Sequence, residues 1–296
     1  MAKFWTMRVI DSHVHLYPPD ANRDPSGWAD LRGEPMWAAM CARRRKDGRG
    51  VQSFPSVDEL LAEMDRASVE RVILLGWYWH QHGTCSGQNR FYAKCVRAHP
   101  DRLSAFATVQ PLCGIETTLA EMKQAAGEGL IGLGELSPHS QGYAIDTPDF
   151  GAVLAQATEM NWTVTFHVTD PNSRNYAGRV ETPFSDFLQL ARMYPRTRFI
   201  LAHWGGLLPL RHPEALELDN LFYDTAASPL LYDDTVWRRF LTVVPAERVL
   251  FGSDFPLNVY PKTSANSEMS QLIAEAVMAG MPSTVMRRNA EKTFGF

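Results

Sequence analysis

Short apolar runs alternate along this chain with longer stretches whose apolar residues recur every three or four positions. The short runs fall at residues 7–11, 71–77, 103–109, 130–135, 162–167, 198–203, 221–224 and 249–254. The second of them, 71–77, is rich in Val, Ile and Leu. The longer stretches predict helices over 56–67, 89–99, 116–128, 148–160, 183–193 and 233–243, with a weak one at 207–216. Two more, 267–279 and 283–292, finish the chain. Their boundaries carry stop and start chemistry. Ser56 with Glu59 three residues on is a capping-box pattern. Thr182 reads as an N-cap with Pro183 in the first turn, and Gly127 and Gly129 close the helix before the fourth strand.

Eight strands, each followed by helical sequence, imply parallel strands covered by helices. Eight such units in 296 residues suit a single (β/α)8 barrel, one domain over 1–296. A doubly wound sheet would want a glycine-rich phosphate turn after the first strand, and Asp11-Ser-His-Val-His15 is not one. One segment breaks the rhythm. Residues 16–55 are too long for an ordinary connection, and we expect an irregular insert that acts as a lid over the barrel mouth.

Composition adds mainly exclusions. With 45% hydrophobic and 21% charged residues and a net charge of -4, nothing points to a nucleic-acid or membrane-surface protein. The four cysteines, Cys41, Cys85, Cys95 and Cys113, form no CxxC pair and no disulfide framework. Free thiols, no apolar signal core at the N-terminus and no run of about 18 apolar residues give a cytoplasmic enzyme as the expectation.

The chemistry lies at the strand ends. Of nine histidines, His13, His15, His167 and His203 fall at the ends of strands one, five and six. Glu135 and Asp254 hold the equivalent places on strands four and eight. Residues two apart on a strand share a face, so His13 and His15 suit one ion. In a barrel all strand C-termini meet at one mouth, so these six residues are expected to converge on a metal. Imidazole with carboxylate suits zinc, manganese, iron or cobalt. A lone histidine at a strand end is more often a hydrogen-bonded core residue; four histidines and two acids at one mouth point to a metal. His99 and His212 read as surface residues.

The runs Asp11-Ser-His13-Val-His15, Phe166-His167, Leu201-Ala-His203-Trp-Gly-Gly206 and Phe251-Gly-Ser-Asp254-Phe-Pro256, with Asn289-Ala-Glu-Lys-Thr-Phe294, resemble the amidohydrolase superfamily. The likeness is to its amidohydrolase-related branch, which also holds aminocarboxymuconate semialdehyde decarboxylase, resorcylate-type decarboxylases and several lactone hydrolases. The resemblance implies a (β/α)8 fold and one or two divalent metals, with zinc first. It makes His13, His15, His167 and Asp254 ligands of a mononuclear site. Asp254 would also take a proton, and His203 would bond a water or polarise a carbonyl. Asp11 would orient a ligand imidazole. Glu135 stands where binuclear members carry a bridging group, unless it is a buried structural acid. Relatives are often dimers, so a homodimer is expected.

The first expectation is therefore a hydrolase that turns activated water on a lactone, amide or ester of a small organic acid. The alternative is a non-oxidative decarboxylase of an aromatic or muconate-like acid, and a third reading is a barrel that binds without catalysis. For the substrate, Trp77 and Trp79 are expected to line the pocket at the end of strand two. His80, His82 and His139 are candidate contacts, and Arg174 with Arg179 could hold a carboxylate. The basic run Arg43–Lys46 reads first as a solvated loop and second as an anion trap.

Overall fold

The computed structural model describes residues 8–296. Met7, which heads the expected first strand, lies outside the described residues. Eight parallel strands form the centre: β1 (Val9–Val14), β2 (Val69–Leu74), β3 (Leu103–Ala105), β4 (Gly132–Leu136), β5 (Thr163–Phe166), β6 (Phe199–Leu201), β7 (Leu221–Asp224) and β8 (Val249–Leu250). They pair in chain order as β1-β2-β3 and β4-β5-β6-β7-β8. Two seams join the halves. Ala107 N donates to Gly132 O at 2.8 Å and Gly134 N to Ala107 O at 2.8 Å, beyond the end of β3. Ser12 N donates to Phe251 O at 2.8 Å and His15 N to Phe255 O at 2.7 Å, closing β1 against the extension of β8. The ring is the (β/α)8 barrel that the alternation predicts.

Helices surround it, and most were legible. Helix Val57–Ala67 has its capping box formed, with Glu59 N on Ser56 Oγ at 3.2 Å and Ser56 N on Glu59 Oε2 at 2.8 Å. Thr147 caps helix Pro148–Glu159. One cap is corrected: Pro183 is the N-cap of helix Phe184–Met193, and Thr182 Oγ1 accepts instead from Thr169 N at 2.8 Å. The hydroxyl is used to fasten the loop after β5. The helix expected at 89–99 starts earlier, as His82–Ala98, and takes His82 into its first turn. The last segment opens with a π-helical turn, Thr284–Arg288, before helix Asn289–Phe294.

That final helix plugs one end of the barrel. Phe294 packs against the small cluster of Ile10, Ile200 and Leu250 and against that of Ile73, Leu75 and Phe106. Arg198, just ahead of β6, donates to Thr293 O at 2.9 Å. A Cβ on Gly132 would stand 2.4 Å from the Phe106 ring, so glycine is what lets this floor fill. The opposite end is left as the mouth.

The insert 16–55 is not irregular. It carries three short helices, Pro19–Arg23, Pro25–Arg32 and Pro35–Ala42, each with proline in its first turn. Its aromatics form a second core with the strand-two loop: Trp37 lies 4.1 Å from Tyr17, 5.3 Å from Trp77 and 5.3 Å from Trp79, ring centroid to centroid. Glu34 is buried and accepts from His80 N at 2.8 Å and Gln81 N at 3.1 Å. The insert is thereby bonded to the barrel rim. Among the described residues no helix is long and apolar enough to cross a membrane.

Candidate metal centre

The six residues picked from the strand ends do meet. His13 Nε2 lies 3.2 Å from His15 Nε2, and His203 Nε2 lies 3.2 Å from His167 Nδ1. Glu135 stands between the two pairs, with Oε2 3.8 Å from His15 Nε2 and Oε1 3.1 Å from His167 Nδ1 and 3.6 Å from His203 Nε2. Asp254 Oδ1 lies 3.5 Å from His15 Nε2 and 3.7 Å from His13 Nε2. Its Oδ2 lies 3.9 Å from His203 Nδ1. The groups His13, His15, Glu135 and Glu135, His167, His203 each bring their ligand atoms within 4.8 Å of one another.

The tautomers decide what this cluster needs. His13 Nδ1 faces the carboxylate of Asp224 at 2.8 Å, and His15 Nδ1 faces Leu75 O at 2.9 Å. Both partners only accept, so each Nδ1 must carry the hydrogen. In the neutral rings both Nε2 atoms are then lone pairs, and they point at each other. His203 repeats the pattern through Nδ1 and Ala226 O at 3.2 Å. Three imidazole lone pairs and two carboxylates around one point repel unless a cation sits among them. The donor set fits a divalent metal, with each imidazole held from behind as ligand histidines are.

The electrostatics agree. Burial pushes His13 down, but Asp224 at its back and the carboxylates of Glu135 and Asp254 outweigh it and hold the ring up to about 10. Burial pushes Glu135 up, yet the neighbouring imidazoles, His167 first, hold it well below the usual carboxylate range. His15 is pushed down by burial and by the charge of His13. The cluster is one that draws positive charge.

The backbone is bent to build it. His203 and Asp254 both take left-handed conformations, with φ of 61° and 67°. His203 opens a run of five such residues through Leu207, in which Gly205 and Gly206 occupy the middle. A non-glycine residue there costs on the order of 1 kcal/mol, and two glycines lower the total. The run is pinned at both sides. Asp224 Oδ1 accepts from His203 N at 2.9 Å and Ala226 N at 3.0 Å. Trp204 is fully buried against Trp237 and Phe240 and donates to Ser228 Oγ at 2.9 Å.

Some expectations are moved by the geometry. Asp11 touches no imidazole; its Oδ1 accepts from His13 N at 3.1 Å and Ser253 N at 3.0 Å, tying β1 to the strand-eight loop. The residue behind His13 is Asp224, which sits at the end of a run the hydrophobic pattern had already marked as a strand. The rule that picked Glu135 and Asp254 would have found it. A cavity of about 770 Å³ opens over the centre, and Trp77 and Arg174 line it. Trp79, His80, His82 and His139 do not. Trp79 is fully buried in the second core, His80 and His82 belong to the rim bonded to the insert and the following helix, and His139 pairs outward with Asp186 at 2.8 Å. Arg179 is used up on Ser173 Oγ and on the carbonyls of Asp170 and Pro171.

Of the basic run, Arg43 lines the cavity and lies 4.5 Å from the Tyr176 ring, whereas Arg45 holds the carbonyls of Pro261, Ser264 and Ala265. The insert itself supplies Met36, Met40, Arg43 and Gln52 to the cavity wall. Tyr78, which sequence reading passed over between two tryptophans, lines it as well. Its ring stacks on Trp77 at 4.1 Å and lies 5.2 Å from that of His167. Burial, with the charges of Glu135 and Asp254, holds its phenol well above the ordinary range.

Comparison with known proteins places this geometry. The amidohydrolase family matches residues 10–296, and the chain belongs to it. No curated protein matches the chain. Among solved structures it is similar to 5-carboxyvanillate decarboxylase LigW from Sphingomonas paucimobilis, at 16% identity and a TM-score of 0.73, over 98% of this chain and 100% of that one. A dihydroxybenzoic acid decarboxylase from Polaromonas sp. JS666, with bound manganese and 2-nitroresorcinol, gives 17%, 0.73, and 97% of each chain. A probable 2-pyrone-4,6-dicarboxylic acid hydrolase from Acinetobacter baumannii gives 17%, 0.63, and 98% and 100%. The chain is an enzyme of the amidohydrolase superfamily, and the non-catalytic reading falls. The first expectation, a hydrolase of a lactone, amide or ester, is corrected as well: the similar structures are mainly decarboxylases. The motifs at the strand ends are common to both chemistries, so they had no power to rank them.

Proposed function

We propose that this enzyme is a metal-dependent, non-oxidative decarboxylase of an aromatic or muconate-like carboxylic acid. The observation that carries the reading is the placement of the stacked Trp77–Tyr78 pair against the centre. Trp77 lies 5.9 Å from the His15 ring and Tyr78 lies 5.2 Å from the His167 ring. A flat apolar body with an acidic end suits that cavity, its ring on the aromatic wall and its carboxylate among the cation-seeking groups. The likeness to decarboxylases supports it independently.

His13, His15, His167 and Asp254 would hold the metal. When bound, a divalent metal supplies positive charge that draws the acid's oxygens and neutralises their repulsion from Glu135 and Asp254. Manganese, which one similar decarboxylase holds, and zinc are the first two to load. The chain does the rest. Trp77 and Tyr78 orient the ring and exclude water from one face. His203, fixed through Asp224 and Ala226 and, despite its burial, drawn towards its charged form by Glu135 and Asp254, would carry a proton on Nε2 and donate it towards Glu135 or a substrate oxygen. Asp254, protonated from solvent, would first give its proton to the ring carbon that bears the carboxylate, which becomes tetrahedral. The bond from that carbon to the carboxylate then breaks, its electron pair returns to the ring, and carbon dioxide leaves uncharged. Asp254 is left as the carboxylate, and solvent restores its proton.

The test is carbon dioxide release by metal-loaded protein from a panel of hydroxybenzoic, dihydroxybenzoic and muconate-like acids. Asp254→Asn should lower turnover by about 10³-fold, within the range of a lost proton donor, while the melting temperature holds. No release from any acid by the loaded wild type would sink the reading, as would equal release after the metal is stripped.

A further inference from the structure

The phenol of Tyr78 stands out against the other buried tyrosines. Tyr92 donates to Leu75 O, Tyr143 to Gln141, and Tyr232 to Asp170. Tyr17 and Tyr223 lack partners but do not line the cavity. Of the tyrosines that do, Tyr260 donates to Glu275 and Tyr176 lies beneath Arg43. Tyr78 lines the cavity, is buried, and its oxygen makes no hydrogen bond among the described residues. The ring itself is immobilised, stacked at 26° on Trp77 and set beside His167. Unlike the buried hydroxyls of Tyr17 and Tyr223, that of Tyr78 belongs to a ring on the cavity wall, so its hydrogen is free for a bound molecule.

We propose that Tyr78 is a substrate-orienting residue that donates its O–H to the carboxylate of the bound acid. This rests on the decarboxylase reading above. A phenol has one hydrogen to give and is neutral at ordinary pH. An entering carboxylate is an acceptor for that hydrogen, and such a charge-assisted bond is about twice as strong as a neutral one. Its role follows from the reaction. Once the ring carbon is protonated and tetrahedral, the breaking bond stands across the ring plane and its electron pair can return to the ring. The Trp77–Tyr78 wall holds the ring and the Tyr78 oxygen holds the carboxylate at the far end of that bond, a gain in orientation rather than in chemistry. Tyr78 selects for acids over neutral rings of the same shape.

Tyr78→Phe removes the oxygen and keeps the ring. Calorimetric binding to manganese-loaded wild type and Y78F would use benzoate, 2-hydroxybenzoate and neutral benzamide. Both acids should bind Y78F about 10-fold more weakly, the loss of one bond to a charged group. Benzamide should bind the two proteins alike, with an unchanged melting temperature. Equal affinity of the acids for both proteins would overturn the proposal. So would a parallel loss for benzamide, which would make Tyr78 a wall only, or a lower melting temperature, which would show the hydroxyl bonded within the fold. Failure of the wild type to bind either acid would overturn it too. The underlying reading is judged separately by carbon dioxide release: acid discrimination without release would leave Tyr78 in place and remove the decarboxylase.

Discussion

Asp224 Oδ2 accepts from His13 Nδ1 at 2.8 Å, with both side chains fully buried. The other oxygen of the same carboxylate accepts from the backbone of His203 and Ala226. One residue at the end of β7 thus sets the tautomer of a strand-one ligand and the turn that carries His203. Asp224→Asn keeps the size but can present an amide N–H to the ring, which frees Nδ1 and turns the hydrogen to Nε2. We expect metal affinity to fall by about 10- to 100-fold, as when such supporting partners are lost elsewhere. Metal titration of the stripped protein measures it, and unchanged affinity would mean Asp224 only braces the loop.

Gly252 is the second point where the centre rests on packing. A Cβ there would stand 2.7 Å from His13 Cβ. Gly252→Ala must push His13 or the strand-eight loop aside, at a cost of about 1–3 kcal/mol for overpacking. Both a lower melting temperature and weaker metal binding are expected. Retained affinity with lowered stability would show that the loop yields and the ligand does not.

Glu135 separates one metal from two. It belongs to both ligand groups, yet the set we propose is complete without it. The expected stoichiometry is about one metal per chain in wild type and in Glu135→Gln alike, with weaker binding in the variant because a charge is gone. Elemental analysis that finds two in wild type and one in the variant would make Glu135 a bridge.

Acid should loosen the barrel floor. Arg287 donates to Glu70 at 2.8 and 3.0 Å, joining β2 to the C-terminal segment, and Arg8 adds a bond at 3.3 Å. The Arg287 hydrogen bonds hold Glu70 down to about 2, against an ordinary 4.5. A depressed carboxylate contributes its stability above its unfolded value. That contribution is lost as pH falls from the ordinary value through about 2. The pair is about one-third exposed, so solvent keeps the effect small. Thermal melts of Glu70→Gln against wild type should converge as the pH is lowered across that window. A constant difference would remove Glu70 from the acid response.

Elsewhere the reach of sequence reading follows from what is periodic. The insert was taken for an irregular loop because its helices are short and each begins at a proline, which reads as a breaker when no periodic run follows. Trp79 was expected near the substrate with Trp77 at the end of strand two, and His80 and His82 as histidines in the loop just beyond it. They miss the cavity because the chain turns after β2 and the insert's Glu34 takes hold of the backbone of His80 and Gln81.

The sequence by itself determined the barrel, since strict alternation of buried runs and amphipathic helices admits few other arrangements. It also determined the convergence of His13, His15, Glu135, His167, His203 and Asp254, because parallel strands of one barrel bring every C-terminal end to one mouth. Tertiary structure alone decided which nitrogens face inward, because that depends on Asp224, Leu75 and Ala226 reaching the rings from other strands and loops. It also decided which aromatics and cations line the cavity, since a contact between Arg43 of the insert and Tyr176 of the strand-five loop leaves no periodic trace. Local pattern records which face of an element is buried, while the partners across a cavity are set by how loops of unrelated sequence pack.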